Sequence, residues 1–81
     1  MSKSWQLTGG NVGAACKGAD ISLEYATPRD GWEMHIEKSG PDSVEVSFSR
    51  DDQESHLTAH CEGGSPVGQT HEGQDNGGSH E

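Results

Sequence analysis

Val44-Glu45-Val46-Ser47-Phe48-Ser49 alternates apolar and polar side chains without interruption. Side chains on an extended strand point to opposite faces in turn, so such a run buries one face and wets the other. The same two-residue period lies on both sides of it. Trp32, Met34 and Ile36 alternate with Glu33, His35 and Glu37; Leu57, Ala59 and Cys61 alternate with His56, Thr58 and His60. Further upstream Ile21, Leu23 and Tyr25 alternate with Ser22 and Glu24. Val12, Ala14 and Cys16 share one parity, and Trp5 and Leu7 alternate with Gln6 and Thr8. Between these runs stand Gly9-Gly10-Asn11, Lys17-Gly18, Thr27-Pro28-Arg29-Asp30-Gly31, Ser39-Gly40-Pro41-Asp42 and Arg50-Asp51-Asp52-Gln53, all rich in turn formers. No stretch sustains a 3.6-residue period. Asn11 to Ala19 also fits helical spacing through Val12, Ala15, Cys16 and Ala19, with Asn11 as the cap, but Gly13 and Gly18 favour strand there. Six short segments with regular turn signals predict an all-β chain, a small antiparallel β-sandwich of about six strands. Its predicted core is Ile21, Leu23, Trp32, Met34, Ile36, Val44, Val46, Phe48 and Leu57.

Composition pulls the other way. Of 81 residues only 27% are hydrophobic, Leu, Ile, Val and Phe together number 10, and the net charge is −9. Such a chain folds only if its few apolar residues are well placed and a staple adds stability. From Glu62 onward the alternation stops, and Val67 is the last large apolar side chain. The sequence therefore predicts a β-sandwich domain over 1–67, closed by Pro66 and Val67, and a disordered tail over 68–81.

Cys16 and Cys61 are the only cysteines, and both fall on the apolar parity of their segments. They have three readings: a disulfide, two free core thiols, or metal ligands. A disulfide would supply the staple in an oxidising compartment. Zinc sites with cysteines usually pair ligands two to four residues apart, a spacing absent here. The order Cys16, Trp32, Cys61 is also that of immunoglobulin-like domains. The cysteine separation is short for that fold, and Ala59 stands where its tyrosine corner would be, so Trp32 reads as core packing, against the bridge if one forms.

Fourteen acidic side chains face five scattered basic ones. That balance argues against nucleic acid and against an anionic membrane surface, since no basic patch is available. It serves solubility, or the binding of a cation or a basic partner. Met1-Ser2-Lys3-Ser4 leads straight into patterned sequence, with no apolar segment of a signal peptide or a membrane span. An extracellular domain of this kind would be an excised piece; a cytosolic protein with two free thiols is the other possibility. Asp51-Asp52 with Glu54 lacks the spacing of a calcium loop and reads as a solvated turn. Five histidines raise the question of a metal. His56 and His60 share a face but lie about 13 Å apart along one strand, so a site would need His35 from a neighbouring strand. His71 and His80 fall in the expected tail. No nucleophile or phosphate-loop motif is present, and the chain is small for a catalytic pocket.

The run Gly9-Gly10-Asn11-Val12 to Cys16, then Ile21-Ser22-Leu23, Ala26-Thr27-Pro28-Arg29-Asp30-Gly31-Trp32, Gly40-Pro41-Asp42-Ser43-Val44-Glu45-Val46-Ser47-Phe48 and Cys61-Glu62-Gly63-Gly64-Ser65-Pro66 resembles a known module. That module forms the small extracellular C-terminus of actinobacterial envelope proteins. They include membrane-anchored regulators, such as anti-sigma factors and kinase-like receptors, and secreted proteins of unknown role. The resemblance covers residues 9–66. It implies an extracytoplasmic β-sandwich with a Cys16–Cys61 bridge, and it carries over no catalytic residue.

The expected function is non-enzymatic: recognition or spacing outside the membrane, with no cofactor and with an unidentified protein or envelope component as partner. Glu33/His35/Glu37, His56/Thr58/His60 or a sheet edge would meet that partner. The alternative is a metal-binding or metal-sensing domain using His35, His56 and His60. Sheet edges carry no mark in the sequence, so edge pairing into a dimer stays open.

Overall fold

Each alternating run becomes a strand, and each turn cluster reverses the chain. A computed structural model describes residues 1–74. Its strands are β1 (Ser2–Gln6), β2 (Gly10–Lys17), β3 (Asp20–Pro28), β4 (Glu33–Ser39), β5 (Val44–Arg50), β6 (Gln53–Glu62) and β7 (Ser65–Gln74). They form two antiparallel sheets, β1-β2-β3 and β4-β5-β6-β7. Both are meanders, with every neighbour in space a neighbour in sequence. The immunoglobulin arrangement instead needs Greek-key connections. Only the link from β3 to β4 changes sheet. It is pinned by the Arg29 N–H donating to Gly9 O at 2.9 Å and the Trp32 N–H donating to Arg29 O at 3.0 Å.

The core lies between the sheets. Leu7, Val12, Ala14, Cys16 and Ile21 from one side meet Val44, Val46, Phe48, Leu57 and Ala59 from the other, all buried. Leu23, Trp32 and Met34 are half-buried against this cluster. A disulfide joins Cys16 on β2 to Cys61 on β6, with the Cα atoms 5.9 Å apart. It therefore ties one sheet to the other, and it leaves no thiol for a metal. The bridge is compatible with an oxidising compartment. Trp32 does not pack against it. Its ring lies where a Cβ on Gly9 would be, and Cys16 stands at the far end of β2, roughly 20 Å along the strand.

Three expectations are corrected. Ile36 is 47% exposed rather than core. It pairs with Val46 and so shares its inner face, yet Val46 is only 2% exposed. The difference is positional: Val46 lies on β5, with strands on both sides, whereas Ile36 lies on the edge strand β4 next to its bulge. The alternation of Ile21, Leu23 and Tyr25 also breaks. Gly13 pairs with Tyr25 but Ala14 with Leu23, so Glu24 is an extra residue in β3. Such a bulge reverses the parity beyond it. Tyr25 turns outward over Gly13, and Ala26 takes the inner position.

The fold class is the expected one, with seven strands for about six, and the domain boundary moves. The sequence places the end of the domain at Val67, whereas β7 continues to Gln74 and pairs with β6 from Glu62–Ser65 through Gln53–Gln74. The expected disorder over 75–81 lies outside the described residues. Gly63 and Gly64 form the hairpin between these strands, with φ of 59° and 84°. Two successive positive φ values make a turn that suits Gly-Gly. An L side chain there resists the left-handed region by roughly 1–2 kcal/mol. Nothing lies within 4 Å of a Cβ built on Gly63. Gly63→Ala is therefore expected to lower unfolding free energy by about 1 kcal/mol without altering the fold. Guanidinium titration measures it, and an unchanged midpoint would mean that the turn escapes the left-handed region.

Candidate functional site

At the end of the sandwich away from the disulfide, a cleft of about 240 Å³ opens between the sheets. Thr8, Trp32, Gln53, Glu54, Glu72 and Gly73 line it. Trp32 stands just ahead of β4, and its ring reaches across to the β1–β2 turn because Gly9 offers no side chain. Glu72 comes from β7, on the inner face, opposite Ser55 of β6.

The Glu72 carboxylate is held on both oxygens. Oε2 accepts the Thr8 N–H at 2.9 Å, and Oε1 accepts the hydroxyl of fully buried Ser55. Ser55 Oγ in turn accepts the Gly9 N–H at 3.1 Å. The chain Gly9–Ser55–Glu72–Thr8 therefore links the β1–β2 turn of one sheet to β6 and β7 of the other. Bonds to an ionised acceptor are the strong ones, and here they fix a negative charge at the lip of the cleft beside an indole. Glu54, on the outer face of β6, adds a second carboxylate, which contacts His56 Nε2 at 3.1 Å.

A volume near 240 Å³ is below the range of drug-sized ligand pockets and suits one side chain or a comparably small group. An aromatic ring with carboxylates nearby attracts an ammonium or guanidinium group.

The histidines proposed from the sequence do not converge. His35 pairs with Ser47, and Ser47 with His56, so β5 stands between the two histidines, which lie roughly 10 Å apart. His60 is four residues from His56 and contacts Glu62 at 2.8 Å. Among the described residues, no group of three or more His, Cys, Asp or Glu is placed to hold a metal ion. His71, expected in a tail, is instead on β7 directly opposite His56. His80 lies outside the described residues. The faces Glu33/His35 and His56/Thr58/His60 both lie on the outer surface of the four-stranded sheet, with Glu37 at the bulge of β4.

Sequence reasoning missed Glu72, Ser55 and Thr8. One signal was available: Ser55 has the parity of Leu57, Ala59 and Cys61, so a polar group was due inside the sandwich and in need of a partner. Comparison with family models, with curated proteins and with solved structures gives no match to this chain.

Proposed function

We propose that this chain is a non-enzymatic recognition module that works outside the membrane, and that the Trp32 cleft receives a basic side chain of a partner protein. The anchored Glu72 carboxylate beside the Trp32 ring is the observation that carries the reading. The net charge of −9 agrees with a basic partner, because it raises the encounter rate with cations. The inter-sheet bridge and the resemblance to the actinobacterial envelope module favour an extracytoplasmic setting. The cleft is too small for an ordinary substrate pocket, and the chain carries no nucleophile motif.

A cation–π contact contributes about 0.5–2 kcal/mol and a charged hydrogen bond about 1.5–3 kcal/mol. One side chain is then held at millimolar strength, and a partner adds the rest through the surrounding surface. The test is fluorescence titration with an arginine-rich peptide in a Trp5→Phe background, where Trp32 alone reports. Saturable quenching is expected, lost with Glu72→Gln and weakened by salt. A domain that acts only as a spacer would show no saturation.

A further inference from the structure

We infer that the outer face of β6 and β7 carries a two-imidazole site for a divalent transition-metal ion, formed by His56 and His71. This goes beyond the recognition reading and stands on separate residues. The two histidines are cross-strand partners in a ladder that runs from Glu62–Ser65 to Gln53–Gln74 without a bulge. Their ring centroids are 6.3 Å apart, with the planes inclined at 54°. Directly opposed residues have Cβ atoms about 4.5–5.5 Å apart, so the register sets both rings over one patch of surface.

The geometry suits chelation. A metal–nitrogen bond is about 2.0–2.1 Å, which puts each ring centre roughly 3.2 Å from the ion. At a tetrahedral angle the two centres would be about 5 Å apart. The observed pair must close by about 1 Å, which rotation about χ1 and χ2 of two solvent-facing rings supplies. Glu54 contacts His56 Nε2 at 3.1 Å, so an ion that takes that nitrogen displaces this contact, and among the described residues the two imidazoles are its only protein ligands. Water fills the remaining positions. Neutral imidazole favours Cu²⁺, Ni²⁺ and Zn²⁺, with Cu²⁺ bound most tightly.

His35 is two strands away and His60 belongs to Glu62, so neither joins the pair. His71 sits on the edge strand β7, and an ion shared with His56 would clamp that strand to β6. Binding should therefore raise the melting temperature as well as saturate.

The test uses the full chain, titrated with Cu²⁺, Ni²⁺ and Zn²⁺ by calorimetry, with melting temperature as the second reading. One-to-one binding is expected. His56→Ala and His71→Ala should each weaken it by about tenfold or more, since even loss of an indirect partner of a ligand costs about 10–100-fold. His35→Ala should leave it unchanged. Both side chains face solvent, and His56→Gln and His71→Gln repeat the test with a polar replacement. Binding that survives both changes but disappears with His80→Ala would overturn the inference, as would saturation with no rise in melting temperature.

Discussion

Cys16→Ser is expected to remove about 4 kcal/mol of stability and to lower the denaturation midpoint steeply. The bridge closes a loop of about 46 residues, and the chain-entropy model assigns that closure roughly 4 kcal/mol. Single domains of this length have a total stability of roughly 4–11 kcal/mol. The loss is therefore a large part of the whole. Position sharpens the argument. At the Trp32 end the sheets are joined by the hydrogen bonds through Ser55 and Glu72. At the other end the ties are the Cys16–Cys61 bridge, the Ile21 N–H donating to Pro41 O at 2.8 Å and the Ser65 hydroxyl donating to Met1 Sδ at 3.0 Å. Without the bridge that end keeps two neutral hydrogen bonds, one of them to a weak sulfur acceptor, and a half-buried thiol at Cys61. Guanidinium titration of Cys16→Ser, and of the unaltered chain with reductant, should give matching, much lower midpoints. A variant that kept the melting temperature of the unaltered chain would remove the bridge from the stability argument.

The fold class was legible because the buried strands are amphipathic in themselves. Val44, Val46 and Phe48 on β5, and Leu57 and Ala59 on β6, need no knowledge of their neighbours to declare a buried face. β7 was illegible for a matching reason. Its inner positions are Pro66, Gly68, Thr70 and Glu72, none of them a large apolar side chain. The volume is filled from the other sheet: the indole of Trp5 lies where a Cβ on Gly68 would be. Pattern along one strand cannot report a side chain lent by another. Gly63-Gly64, which links two extended segments, was the local signal for that hairpin.

Ile36 and Tyr25 failed for reasons of the same kind. An edge position depends on strand order, and a bulge depends on pairing, so neither is a property of one strand's sequence. The candidate site shares this character. Trp32 stood out as a large apolar residue, but its place at the cleft depends on Gly9, 23 positions earlier. Glu72 looked like one more solvated acid, because Ser55 and Thr8 reach it only through tertiary contact. His71 became the partner of His56 once β7 was in place.

Phe48→Ala is the second large expected effect. Phe48 is fully buried at the centre of the core, on the strand flanked by β4 and β6. Truncating a buried phenylalanine costs about 3–5 kcal/mol, from lost transfer energy and the cavity left behind. Collapse into that cavity is restrained on the opposing sheet. There the backbone at Gly9 and Gly10 already approaches Phe48 as closely as a missing Cβ allows. The value should therefore fall in the upper part of the range, with an unchanged m value. A second substitution checks the cause. A methyl on Gly10 would meet both the Phe48 ring and the Thr27 carbonyl, so Gly10→Ala alone should cost about 1–3 kcal/mol. In the Phe48→Ala background the ring is gone but the carbonyl remains. The cost of Gly10→Ala should then shrink without vanishing, a coupling of roughly 0.5–3 kcal/mol between directly touching sites. Strict additivity would mean that the Phe48 ring is not what excludes a side chain at position 10, and that the Thr27 carbonyl of the neighbouring strand alone sets the requirement for glycine.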